Sequence, residues 1–188
     1  MRGRLRVTAT AAIAALALMV PAGAATADTA RPARNTDTSY SFALVTPNTA
    51  VAPIAGMMAS PGDSIRVTGA GWFDPKTKTV HAGGAFIHDN ADGTVHCRGT
   101  WKATALTGWT DFGARGGYRH GGVISLLVTH YCPAMGEVHT GIPMTVTSAL
   151  NAPPGSTYTT GVTVGDFTVP TGGKVRITGH QGPRDPHS

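Results

Sequence analysis

The sequence predicts an all-β domain, a single antiparallel β-barrel of about eight strands, with a β-sandwich as the alternative. Three observations predict it. Glycine and proline, 25 and 13 of the 188 residues, recur every few positions with Thr- and Val-rich runs between them, which is the composition of short strands joined by turns. Residues 94–105 alternate without exception: Val95, Cys97, Gly99, Trp101, Ala103 and Ala105 on one side, Thr94, His96, Arg98, Thr100, Lys102 and Thr104 on the other. A sheet with one buried and one wet face requires that period of two. Finally, each of the two cysteines falls on the apolar face of its own strand.

The chain opens with Arg2, Arg4 and Arg6, then an unbroken apolar run over residues 11–20, then Pro21 and the small-x-small sequence Ala25-Thr26-Ala27. Residues 1–27 therefore read as a secretory signal peptide, a helix cleaved near Ala27, with a cut after Ala24 as the alternative. The apolar run is half the roughly 20 residues a bilayer span needs. Its removal takes three arginines and no acid, leaving twelve basic against ten acidic side chains and a charge of +2 rather than +5. The cations are scattered and form no basic tract, so nucleic acid is excluded as a partner. Residues 28–38 and 179–188 are polar and are expected to be a flexible leader and tail around one domain at 39–178.

Within that domain the apolar residues Ile65 and Val67, Met144 and Val146, and Val175 and Ile177 each alternate with polar neighbours. From 123 to 132 the even set, Ile124, Leu126, Val128, His130 and Cys132, is the apolar one. Residues 40–45, 80–88 and 161–169 complete the strands, and Asp89-Asn90-Ala91-Asp92-Gly93 has the chemistry of a hairpin connection. Pairing His88 with Thr94 across that turn would put Phe86, His88 and His96 together on the outer face. With both sulfurs directed inward, an exported protein is expected to join Cys97 to Cys132. The competing arrangement is zinc held by both thiolates, His130 and a fourth ligand such as His139.

No catalytic signature is present. H-E-x-x-H and G-x-S-x-G are absent, and Glu137 is the single glutamate, so paired acids for glycosidic chemistry are not evident. Residues 88–99 fit a calcium loop at Asn90, Asp92 and Gly93 only, with His88 and Gly99 where carboxylates are needed, and read as a turn. The sequence asks for no cofactor and no metal. The segment 107–122 is the strongest candidate for contact with a ligand, the alternative being that Trp109 and Phe112 cap the end of the barrel while its glycines flex. It is long for a connection and holds Trp109, Phe112 and Tyr118 with Asp111, Arg115, Arg119 and His120; rings beside hydrogen-bonding charges suit a glycan, a small apolar molecule or a partner protein. His130, on the inward face, joins this candidate set.

Three phrases carry a resemblance: Val67-Thr68-Gly69-Ala70-Gly71-Trp72-Phe73-Asp74-Pro75, Gly83-Gly84-Ala85-Phe86-Ile87-His88 and Gly99-Thr100-Trp101-Lys102-Ala103-Thr104, with Gly121-Gly122 opening the next strand. With these, the chain resembles a group of uncharacterised secreted all-β proteins of actinobacterial type. The resemblance implies a β fold and an extracellular address. It implies no activity, and no site residue is carried over from it. The expected function is that of an extracellular, non-enzymatic binding module. The alternatives are a histidine-based lyase or cyclase using residues such as His130 and His120, and a surface protein without a pocket.

Overall fold

A computed structural model describes residues 37–181. The expected signal peptide, most of the leader and the end of the tail lie outside the described residues. The domain is wider than 39–178, because both its first and its last strand run beyond those limits.

Eight antiparallel strands follow one another: β1 (Asp37–Val51), β2 (Ser64–Asp74), β3 (Thr79–Asp89), β4 (Val95–Arg115), β5 (Arg119–Cys132), β6 (Glu137–Ser148), β7 (Gly161–Val164) and β8 (Val169–Gln181). They form one sheet in the order β4-β3-β2-β1-β8-β5-β6-β7, and β4 also pairs with β5. Six strands thus close into a ring, β1-β2-β3-β4-β5-β8, and β6 and β7 extend it from β5. The ring is closed unevenly. β8 reaches β5 only at Arg119↔Thr178 and His120↔Ile177, and from Gly122 onward that edge of β5 belongs to β6. One end of the ring is therefore sealed by backbone hydrogen bonds, and the other splays open.

The alternating patterns lie where the core needs them. Cys97, Trp101 and Ala103 of β4 are buried, as is the whole even set of β5 from Ile124 to Cys132. Val95, expected inside, is exposed. It is the first residue of β4 and pairs with Asp89 across a bulge that breaks the register of Cys97 and His88. The inward set also shifts from Ala105 to Leu106, because a bulge separates the pairs Ala103↔Val128 and Ala105↔Leu127. An inserted residue re-aims every side chain beyond it.

Two larger expectations are corrected. Residues 107–122 are not a long loop: β4 and β5 continue through them as a hairpin with only Gly116, Gly117 and Tyr118 at its tip. The stretch 161–169 is not one strand either. β7 ends at Val164, and the Val164 N–H and carbonyl both bond Phe167 in a tight turn before β8.

A row of glycines makes room for the largest core side chain. Gly69 pairs with Gly84, Gly84 with Trp101, and Trp101 with His130. The indole lies across β3, and its Nε1–H donates to the Thr68 carbonyl of β2 at 2.9 Å, which satisfies its one polar atom.

Candidate functional site

The sealed end is packed solid. Tyr40 stacks on Phe73 with ring centroids 5.2 Å apart and contacts Trp109 at 4.9 Å and His120 edge-on at 5.1 Å. Asp111 Oδ1 bonds His120 Nδ1 at 3.0 Å and the Gly113 N–H at 2.8 Å, and its Oδ2 accepts from the Tyr40 hydroxyl at 3.3 Å. Trp109 caps the end of the barrel, as one of the two expectations for this segment had it, and Asp111 and His120 pack there with it. Phe112 packs on Tyr158 at 4.7 Å, while Arg115, Tyr118 and Arg119 are exposed outside. The structure therefore divides the candidate set, and it puts His130 at the opposite end.

That opposite end holds a cavity of about 410 Å³, walled by Ile65, Phe86, His88, His130, Phe167 and the disulfide. Cys97 and Cys132 are joined, with Cα atoms 6.1 Å apart, so neither is available as a thiolate and the zinc arrangement is overturned. Among the described residues, no three His, Cys, Asp or Glu side chains converge in a way that could hold a metal ion. Residues 52–63, joining β1 to β2, cross the mouth as a strap. The Asp166 carboxylate accepts from the Met58 N–H at 2.6 Å, and Asp63 accepts from Ser60 N–H at 2.8 Å and Ala91 N–H at 2.9 Å.

The cavity is rich in polar side chains, with Ser60, Asp63, Asn90, His96, Glu137 and His139 in its lining, and two buried imidazoles stand among them. His130, only 2% exposed, stacks on Phe86 with centroids 4.6 Å apart, and its Nδ1 has no hydrogen-bond partner. Burial, and then the nearby His139, push its pKa down to about 4, so the ring is uncharged at neutral pH. His88 lies 3.3 Å through Nε2 from Asp63 Oδ2. Burial acts to raise the Asp63 pKa, but the bonds from Ser60, His88 and Ala91 outweigh it and leave the acid below its ordinary value. Burial also depresses His88, more than its bond to Asp63 raises it. Because an ionised carboxylate only accepts, His88 must donate from Nε2, which leaves Nδ1 as the basic nitrogen.

His88 and Phe86 were expected on the outer face. Both are buried, since His88 pairs with Cys97 rather than Thr94. His96, expected beside them, is exposed, yet its ring is 4.6 Å from that of His88 at the rim. Sequence reasoning missed Asp63 altogether. The Pro61-Gly62-Asp63 turn that precedes β2 was the available signal, since a buried Asp after such a turn commonly ties down loop N–H groups.

The mouth has an apolar lip. Met135 is exposed beside it, and Met57, on the strap, is 98% exposed. Tyr131 and Val138, paired across β5 and β6, are exposed on the outer face next to that end. No protein-family model matches the chain, and neither a curated protein nor a solved structure shows significant similarity to it.

Proposed function

We propose that the protein is an exported binding module that takes a small, mainly apolar molecule into the open mouth of its barrel. The observation that carries this is the coincidence of a ligand-sized cavity with a lip of exposed apolar side chains. Ligand sites in small barrels combine an apolar wall with polar groups that set orientation. Here Ile65, Phe86 and Phe167 supply the wall, and Asp63, His88, His130 and Glu137 are among the polar groups. An exposed Met57 gains nothing in a lone domain, since burying such a side chain is worth about 1.5 to 3 kcal/mol. Export is supported by the disulfide, which persists in oxidising compartments, and by the signal-like residues 1–27. Among the described residues no helix is long and apolar enough to cross a membrane.

The test is a titration of the mature protein with N-phenyl-1-naphthylamine, whose fluorescence rises in apolar surroundings. Saturable enhancement at one site is expected. His96→Trp and Met135→Trp, both at exposed rim positions, are expected to weaken it about tenfold by narrowing the entrance. Enhancement that never saturates, or that ignores both variants, rejects the cavity as the site.

One observation favours a second reading, an enzyme that withdraws a proton. The Asp63–His88 pair has the form of an oriented general base in a cavity wall, although its residues are not the His130 and His120 expected from sequence. Under that reading, His88→Gln keeps probe binding and abolishes turnover of any substrate found in the site.

A further inference from the structure

We infer that the outer rim of the sealed end binds an acidic polysaccharide, at a site separate from the cavity. Arg115 and Arg119 stand directly opposite each other across the β4–β5 hairpin. Residues so paired project on the same face, and like charges there repel. Arg119 is in turn opposite Thr178 of β8, and Arg176 and Lys174, two and four residues before it, fall on that same outer face by the strand period. All four side chains are exposed. Among the described residues, none of them takes part in an ion pair with a carboxylate. Asp111, on β4 near this rim, bonds Tyr40, Gly113 and His120.

The surface between these cations is not flat. A depression of about 270 Å³ is lined by Arg115, Arg119 and Tyr118, the last 59% exposed. Arg119 also borders two further depressions, of about 250 and 190 Å³, shared with Arg176 and, in the smaller, Lys174. The result is a shallow groove in three steps with a cation at each. An open phenol ring stacks on the C–H face of a sugar, and guanidinium forks pair with carboxylates in two-pronged fashion. An aromatic ring sharing one depression with two guanidiniums is therefore a subsite for one acidic sugar, and the steps beyond it suit continuation of the chain. Beyond these four cations the mature chain is close to neutral, with eight Lys or Arg against ten Asp or Glu. Uniform charge attraction would accordingly be weak, and binding has to come from this rim.

The mature protein, measured against polyuronate, neutral dextran and a single-stranded oligonucleotide at low salt, tests the inference. Polyuronate is expected to bind and to be released as salt rises, because screening weakens exposed ion pairs. Arg119→Ser with Arg176→Ser is expected to weaken it about tenfold. The matching pair Arg98→Ser with Lys102→Ser, on the outer face of β4, leaves it unchanged. Tyr118→Ala is expected to lower affinity for polyuronate without altering the slope of affinity against salt. The naphthylamine titration is expected to be indifferent to saturating polyuronate, so the two sites succeed or fail independently. No binding at low salt overturns the inference, as does equal loss in both arginine-containing pairs. Oligonucleotide binding as tight as polyuronate binding overturns the sugar assignment.

Discussion

At the scale of single residues, the mouth is held by polar groups kept in unusual states. His130 is the clearest. With its pKa at about 4 in the folded protein and near 6.5 unfolded, the unfolded chain binds a proton between those values that the folded chain does not. Stability therefore falls as pH drops from about 6.5 to 4, by up to about 3 kcal/mol for the whole interval. His88, also depressed, adds to the loss in the same direction. Urea unfolding across that pH range is expected to show the decline, and His130→Phe, which keeps a flat ring against Phe86, is expected to flatten most of it. Asp63 makes the opposite kind of contribution, a carboxylate whose lowered pKa stabilises the fold above its ordinary range and loses that as the acid titrates. Asp63→Ala strands two loop N–H groups and His88 Nε2, and is expected to cost about 2 to 4 kcal/mol in chemical unfolding at pH 7.

At the scale of strands, what could be read from the sequence depended on whether a strand kept its period. β5 did: its buried even set from Ile124 to Cys132 faces a continuous wall, so the pattern and the face agree. β4 kept it from Cys97 to Ala103 and lost it afterward. Bulges fall between Ala103 and Ala105, Leu106 and Gly108, and Asp111 and Gly113. Each one inverts the face, so a continuous strand looked aperiodic and its glycines looked like a loop. Gly113, with φ of 91°, belongs to the last of these bulges, where an L side chain would be strained. β3 failed differently. A bulge at His88 and Asp89 turned the assumed His88–Thr94 pairing into His88–Cys97, a slip by an odd number that flips faces. That one irregularity hid the candidate site. The glycine row of β2 and β3 yields a sharp prediction. A Cβ at Gly84 would run into the Thr68 carbonyl and the Gly69 backbone, and neither can move without breaking the sheet. Gly84→Ala is expected to cost more than about 3 kcal/mol in stability, whereas the same change at Gly116, which has open space but a φ of 66°, is expected to cost only the left-handed backbone strain, about 1 kcal/mol.

At the scale of the whole molecule, the two ends are held by different means. The sealed end has the β5–β8 rungs and the Tyr40, Phe73, Trp109 and His120 cluster. The mouth end lacks those rungs, because β6 has taken over the edge of β5. The disulfide stands in for them. The β4–β5 ladder has its last rung at Thr100↔Tyr131, and the Cys97–Cys132 bond ties the two strands just beyond it. Its closed loop spans 35 residues, which in the chain-entropy model is worth about 4 kcal/mol. Replacing both cysteines by serine is expected to remove roughly that amount but to act unevenly on motion. Amide hydrogen exchange is expected to rise in the strap, at Val95 to Gly99 and over the last residues of β5. Protection around Tyr40, Trp109 and Ile177 is expected to fall only as far as global stability falls. Probe uptake at the mouth weakens accordingly, while polyuronate affinity at the far rim stays constant as long as the protein is folded. A uniform rise in exchange along the chain would mean that the bond stabilises the barrel as a whole rather than its open end.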